Sequence, residues 1–169
     1  GDTVTLLLGK SGSVADVVTN SKISDNVYGF LTQAGTKETT VSGSTVTKPY
    51  VKVILPTGES CEYITNKDYS SLVNSAVSVT LKDGIATVTT SVSGKGVSGE
   101  FVWNSANNKI GTSKLSNDIK IIEVSTTDSD ESSVTARVFP QRLNGIKIWE
   151  SDVLYAGKNS RGEINALIL

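Results

Sequence analysis

Hydrophobic residues along the chain fall into short runs that often alternate with polar residues, and Gly, Asn, Asp or Pro stand between the runs. Alternation with a period of two is typical of half-buried β-strands. The pattern predicts strands at Thr3–Leu8, Ser13–Thr19, Tyr50–Leu55, Ser60–Thr65, Ala76–Leu81, Ile85–Ser91, Gly99–Trp103, Asp118–Ser125, Ser133–Phe139, Asp152–Ala156 and Glu163–Leu169.

Four links between these strands have the chemistry of hairpin turns, which implies antiparallel pairing. Each contains glycine, which adopts a positive φ at little cost. The four links are Gly9–Gly12, Pro56–Gly58, Lys82–Gly84 and Gly157–Gly162. One segment, Asn66–Val73, predicts a helix of one or two turns, with Asn66 as its cap.

The first and last hairpins resemble each other. Gly9-Lys10, Gly12 and Val14 match Gly157-Lys158, Gly162 and Ile164 in order, which suggests one closing hairpin at either edge of a repeated unit. With a break near Ser98, we expect an all-β fold of two small antiparallel β-barrel or sandwich units of OB-like or SH3-like size. The units are residues 1–97 and residues 98–169, the second ending in a hairpin similar to 2–18. We also expect the chain to be a piece of a longer protein.

Composition supports β structure, because Ser and Thr together outnumber the charged residues and Val and Ile dominate the aliphatic ones. Branched side chains suit a pleated sheet better than a helix. A net charge of −1 without a basic cluster argues against nucleic acid as a partner. No run of about 20 apolar residues is present, so we expect no membrane span.

The chain contains no histidine and one cysteine, Cys61. Histidine is central to Ser-His-Asp and Cys-His catalysis and to most zinc sites. We therefore expect no enzyme and no catalytic residue, and a buried, inert Cys61 thiol. A pair of acids could still serve a glycosidase, but spacing alone does not bring two of them together.

Two candidate binding sites remain. Asp128, Asp130 and Glu131 resemble the alternating oxygen ligands of a calcium loop, without the glycine and distal glutamate of the EF-hand, so calcium is the one candidate cofactor. Trp149 and Trp103 are candidates for stacking on sugars. The opposing interpretation is packing in a core, which is favoured for Trp103 because Phe101 shares its strand face.

Several segments resemble the β-rich accessory region of surface proteins that carry S-layer homology domains in anaerobic Gram-positive bacteria. The segments are Asp2–Lys10 with Gly12 and Val14–Val18, Tyr28-Gly29, Tyr50–Gly58, Leu115–Ile121 and Ser151–Lys158 with Gly162–Ile164. The resemblance implies an extracellular, cell-surface location in the S-layer or cell wall. The wall-binding repeats of that family are helical and have no counterpart here, so no binding or catalytic residue is carried over.

We therefore expect a non-catalytic structural or spacer module of a bacterial cell-surface protein. Its partners would be other domains of that larger protein, with self-association as a further hypothesis. The alternative is a carbohydrate-binding module that recognises cell-wall or extracellular polysaccharide.

Overall fold

A computed structural model describes residues 4–8, 14–19, 27–41, 43–90, 94, 96–126 and 133–169. These residues form fourteen strands, one single-turn α-helix and two 3₁₀ turns. The predicted all-β class is confirmed.

The chain's first two strands, β1 (Val4–Leu8) and β2 (Val14–Thr19), pair antiparallel as a separate two-stranded sheet. We call this pair the leading hairpin. Its pairing confirms the predicted hairpin, although the Gly9–Gly12 turn lies outside the described residues.

The N-terminal sheet is antiparallel throughout, with strand order β5-β4-β3-β6-β7. Its strands are β3 (Val27–Val41), β4 (Ser44–Ile54), β5 (Ser60–Ile64), β6 (Ser75–Lys82) and β7 (Ile85–Thr90). Asp83 and Gly84 both have positive φ, 51° and 76°. These values suit the tight turn that the Asp-Gly pair predicts.

Strand β3 was not predicted, because Gly29 and Gly35 interrupt its pattern. The structure explains both glycines by close packing. A Cβ on Gly29 would lie 2.6 Å from the Ile54 carbonyl oxygen, and one on Gly35 would lie 3.2 Å from the Tyr50 ring. Glycine here marks close contact with the neighbouring strand β4.

The C-terminal sheet has the order β12-β8-β9-β10-β14-β13, and β11 also pairs with β10. Its strands are β8 (Gly99–Trp103), β9 (Asn108–Ile110), β10 (Ser113–Thr126), β11 (Ser133–Val138), β12 (Lys147–Ile148), β13 (Tyr155–Lys158) and β14 (Ile164–Ile168). Strands β9 and β12 are additions to the prediction. We call β13–β14 the closing hairpin.

Two details of the predicted barrels are wrong. Strands β10 and β14 run parallel, so the C-terminal sheet is mixed rather than antiparallel. Neither sheet closes into a barrel. The N-terminal sheet curls until its edges meet at one isolated bridge between Thr65 and Ala86, and this contact does not extend into a ladder.

The predicted helix over Asn66–Val73 reduces to one 3₁₀ turn, Ser70–Leu72. Asp68, rather than Asn66, accepts the Ser70 backbone N–H, at 2.8 Å. The strand predicted from Asp152 begins at Tyr155, because Glu150–Asp152 forms a second 3₁₀ turn. The α-helix, α1 (Pro140–Leu143), starts at a proline, which suits the first helical position.

Each sheet has its own core, and a third cluster joins the two sheets. Leu31, Val51 and Val77 belong to the N-terminal core, and Phe101 and Leu167 to the C-terminal core. The third cluster, which we call the junction core, contains Phe30, Ala76, Ile122, Tyr155 and Ile168. The strands of the two sheets occupy separate parts of the sequence, 27–90 and 99–168. The division into units at residues 1–97 and 98–169 stays a prediction.

Candidate functional site

An open groove lies where the two sheets meet, with a volume of about 530 Å³. We call it the interface groove. Phe30 of β3, Val124 of β10, Ile148 of β12 and Leu169 contribute apolar lining. Since these residues come from both sheets, the groove exists only because the sheets pack together.

The segment after α1 forms one wall of the groove. Gly145, with φ 81°, ends the helix and turns the chain back along β8. The Gly145 N–H donates to the Phe101 carbonyl at 2.8 Å, and the Phe101 N–H donates to the Ile146 carbonyl at 2.8 Å. Ile148 then pairs with Gly99. These bonds present Ile146 to solvent, with 46% of its surface exposed.

Charged groups stand among the lining residues, namely Glu123, Lys147 and Asp152. The Asp152 carboxylate accepts hydrogen bonds from the Trp149 N–H and the Ser151 hydroxyl, both at 3.1 Å. Asp152 therefore holds the 3₁₀ turn in place. The lining combines apolar surface with acids and one amine, which suits a polar ligand that also has an apolar face.

Trp149 stands beside the groove and is 57% exposed. The Lys147 ammonium lies 3.7 Å from the centre of its ring, a close cation–π contact. One ring face is thus occupied by the ammonium. The sequence missed Lys147 as a neighbour, although alternation places residues 147 and 149 on the same side of an extended segment.

Trp103 has a different environment. It is half-buried against the C-terminal core, and its ring tilts against Phe101 with centroids 6.4 Å apart. The Trp103 backbone N–H donates to the Asn144 side-chain oxygen at 2.8 Å. Ile148, the residue before Trp149, pairs with Gly99 at the start of β8. Trp103 lies at the other end of β8, about 13 Å further along the strand. The structure does not bring the two tryptophans together.

Other acids near strand ends have structural partners. Glu62 forms an ion pair with Lys37. Glu150 accepts the Gly96 N–H at 3.1 Å. Hydrogen bonds from the Asn159 amide and, at 2.9 Å, the Arg161 guanidinium hold the pKa of Glu163 below its usual range.

The calcium candidates Asp128, Asp130 and Glu131 lie outside the described residues. Among the residues that are described, no three His, Cys, Asp or Glu side chains converge as a metal would require. Cys61 is half-buried rather than buried, so that expectation is wrong. Cys61 does share a strand face with Tyr63, as alternation predicts. Burial, and to a smaller extent a hydrogen bond with Cys61, raises the pKa of Tyr63 to about 12.

Comparison with family models, with curated proteins and with solved structures finds no match in any of the three. Within the described part of the chain, no helix has the length and apolar character needed to cross a membrane.

Proposed function

We propose that the chain is a non-catalytic structural or spacer module of a bacterial cell-surface protein of the S-layer type. The observation that carries this proposal is the junction core. Phe30 and Tyr155 come from different sheets and are 1% and 5% exposed, and they pack in one cluster with Ile122 and Ile168. A spacer must hold its ends at a fixed separation, and a buried contact between its two sheets meets that need.

The carboxyl-terminal strand adds to this rigidity. Strand β14 lies between β10 and β13 and bonds to both. The Leu169 N–H donates to the Ile122 carbonyl at 3.0 Å, and the Val124 N–H donates to the Leu169 carbonyl at 2.7 Å. A pull along β14 loads these bonds together, which suits a module that transmits force.

The surface location rests on the resemblance to the accessory region of S-layer proteins and on the Ser- and Thr-rich composition. Antibodies raised against the chain should label intact cells of the source organism, and protease added outside those cells should remove the label. Labelling that requires permeabilised cells would contradict this location.

Self-association is a further part of the proposal. Contiguous exposed apolar surface often marks a contact site. Ile146 and Leu154, which are 46% and 39% exposed, both line the interface groove, and Trp149, which is 57% exposed, stands beside it. Sedimentation equilibrium at high protein concentration should reveal oligomers. A strict monomer, also within the full-length protein, would contradict this part.

A second candidate function, binding of cell-wall or extracellular polysaccharide, is favoured by Trp149 alone. A largely exposed indole beside an ammonium, next to a groove lined by two acids, offers a stacking surface and hydrogen-bonding groups to a sugar. The partly occupied ring face limits that surface.

Titration with cell-wall polysaccharide, followed by tryptophan fluorescence, separates the two candidates. A binding module should give a saturable change that Trp149→Ala abolishes, while Trp103 stays as an internal reporter. A spacer should give no saturable change.

A further inference from the structure

The leading hairpin and the closing hairpin share one backbone register. Leu6 pairs with Val17 in the first, and Ala156 pairs with Leu167 in the second. Every pair in the closing hairpin has such a counterpart: residue n of the leading hairpin corresponds to residue n + 150. Thr5–Val18, Leu7–Asp16 and Leu8–Val14 correspond to Tyr155–Ile168, Gly157–Ala166 and Lys158–Ile164.

The irregularity in the ladder also recurs. The register shifts between Leu7 and Leu8 in the leading hairpin and between Gly157 and Lys158 in the closing hairpin. The links, 9–13 and 159–163, have equal length, and glycine stands at the same place, Gly12 and Gly162. The sequence match of Gly9-Lys10 with Gly157-Lys158 is therefore wrong by two residues, whereas the matches of Gly12 and Val14 hold.

The closing hairpin is buried on both faces. Ala156, Ile164 and Leu167 belong to the C-terminal core, and Tyr155 and Ile168 belong to the junction core. At the C-terminal-core positions the leading hairpin carries apolar residues, Leu6, Val14 and Val17. On that face its sequence thus suits the same buried environment.

In the closing hairpin, β14 pairs in parallel with β10. Its counterpart β2 pairs with β1 alone among the described strands. An isolated two-stranded sheet is at best marginally stable in water. By comparison with β14, the missing neighbour of β2 is a strand equivalent to β10, running parallel to β2.

An intact second copy does not offer such a strand. In this chain, β10 bonds to β9 and β11 along one edge and to β14 along the other. A second copy would have to lose its own covalently linked closing hairpin first, and an intramolecular partner has the advantage of high effective concentration.

We infer that residues 4–19 are the closing hairpin of a further unit with the C-terminal fold. In that unit, β2 pairs with a strand that corresponds to β10, as β14 does here. Residues 4–19 fill the position that a closing hairpin occupies in the unit. The protein would then contain this fold at least twice, with one hairpin design closing each unit.

A graft tests the inference inside the intact chain, by replacing residues 154–169 with the sequence of residues 4–19. The grafted chain should keep a cooperative thermal transition, at a lower temperature than the parent because Thr5 replaces the buried Tyr155 ring. Amide exchange at Lys120–Ile122 should stay slow. The matched control is the same graft without Ala15. This deletion removes the extra residue of the ladder and turns one strand's side chains to the opposite face. The control should lose the slow exchange.

A second graft separates a mismatch of side-chain volume from a mismatch of register. It carries Leu6→Ala, Val14→Ile and Val17→Leu, the residues that the C-terminal core already holds. Slow exchange in either graft, but not in the control, supports the inference. Loss in both grafts overturns it, as does equal protection in the graft and the control.

Sedimentation tests the choice of partner. The unmodified chain and the chain lacking Ala15 should have the same oligomeric state in solution, because in a second copy β14 already occupies the β10 edge that β2 would need. A lower mass after the deletion would assign the partner to a second copy and overturn our choice.

Discussion

The rings of Tyr28 and Tyr155 stack with their centroids 4.7 Å apart and their planes inclined by 18°. Tyr28 lies on β3 of the N-terminal sheet and Tyr155 on β13 of the C-terminal sheet. Such a ring pair contributes about 0.5–1.5 kcal/mol beyond the burial of its surface. The stack continues the junction core, so the two sheets should respond together to changes at their contact.

Phe30→Ala tests this coupling, since Phe30 is 1% exposed in the junction core. The change should lower the free energy of unfolding by about 3–5 kcal/mol, because it removes a buried ring and leaves a cavity. The matched control is Phe139→Ala at a ring that is 57% exposed, which should cost less than about 1 kcal/mol. Urea denaturation followed by circular dichroism compares the two, and equal losses would contradict the assigned core.

Two glycines of β3 give a second matched pair. Gly29→Ala places a methyl group 2.6 Å from a backbone oxygen that cannot move away without distorting β4. It should cost on the order of 2–3 kcal/mol. Gly35→Ala meets the edge of the Tyr50 side chain, which can shift, and should cost less. Thermal denaturation of both variants checks the order, and the reverse order would contradict the packing described for β3.

Alkaline pH should weaken the fold through Tyr155. Burial, with a smaller effect of Tyr28, raises the pKa of Tyr155 to about 12 in the folded chain, above about 10 in the unfolded chain. The folded state therefore binds more protons between these values, and stability falls as pH rises from about 10 to 12. Tyr63, whose pKa is also raised to about 12, adds to the same fall.

Tyr155→Phe should reduce this dependence, because phenylalanine does not ionise. Urea midpoints measured from pH 9 to pH 12 should fall less steeply than those of the parent chain, and Tyr63→Phe should act in the same direction. An unchanged slope in the Tyr155 variant would contradict the burial of its hydroxyl group.

The two tryptophans should differ in their effect on stability. Trp149→Ala should change the free energy of unfolding by less than about 1 kcal/mol, because the ring is mostly exposed. Trp103→Ala should cost about 2 kcal/mol, since its half-buried ring packs on the C-terminal core. Urea denaturation followed by circular dichroism measures both without relying on indole emission. A larger loss for Trp149→Ala would assign that residue to the core.

The sequence predicted those parts of the fold that depend on neighbouring residues, such as tight turns and shared strand faces. Asp83-Gly84 predicted the β6–β7 hairpin, and the shared face with Phe101 predicted the packing of Trp103. Strand β3 was missed because its glycines are required by close packing against β4, a neighbour that sequence periodicity does not reveal. The parallel pairing of β10 with β14 and the interface groove depend on contacts between distant segments. The exposed Trp149 was a candidate from sequence, but the ammonium against its ring follows from the local backbone path.

Denaturation with one reporter in each sheet tests whether the junction core couples the two sheets. Cys61, the single cysteine, lies on β5 of the N-terminal sheet, and its reaction with a thiol reagent reports that sheet. Both tryptophans lie in the part of the chain that forms the C-terminal sheet, so their fluorescence reports the other. We predict that the two urea curves coincide in the parent chain. Two separate transitions, with one sheet unfolding while the other stays intact, would show that the junction core does not couple the sheets.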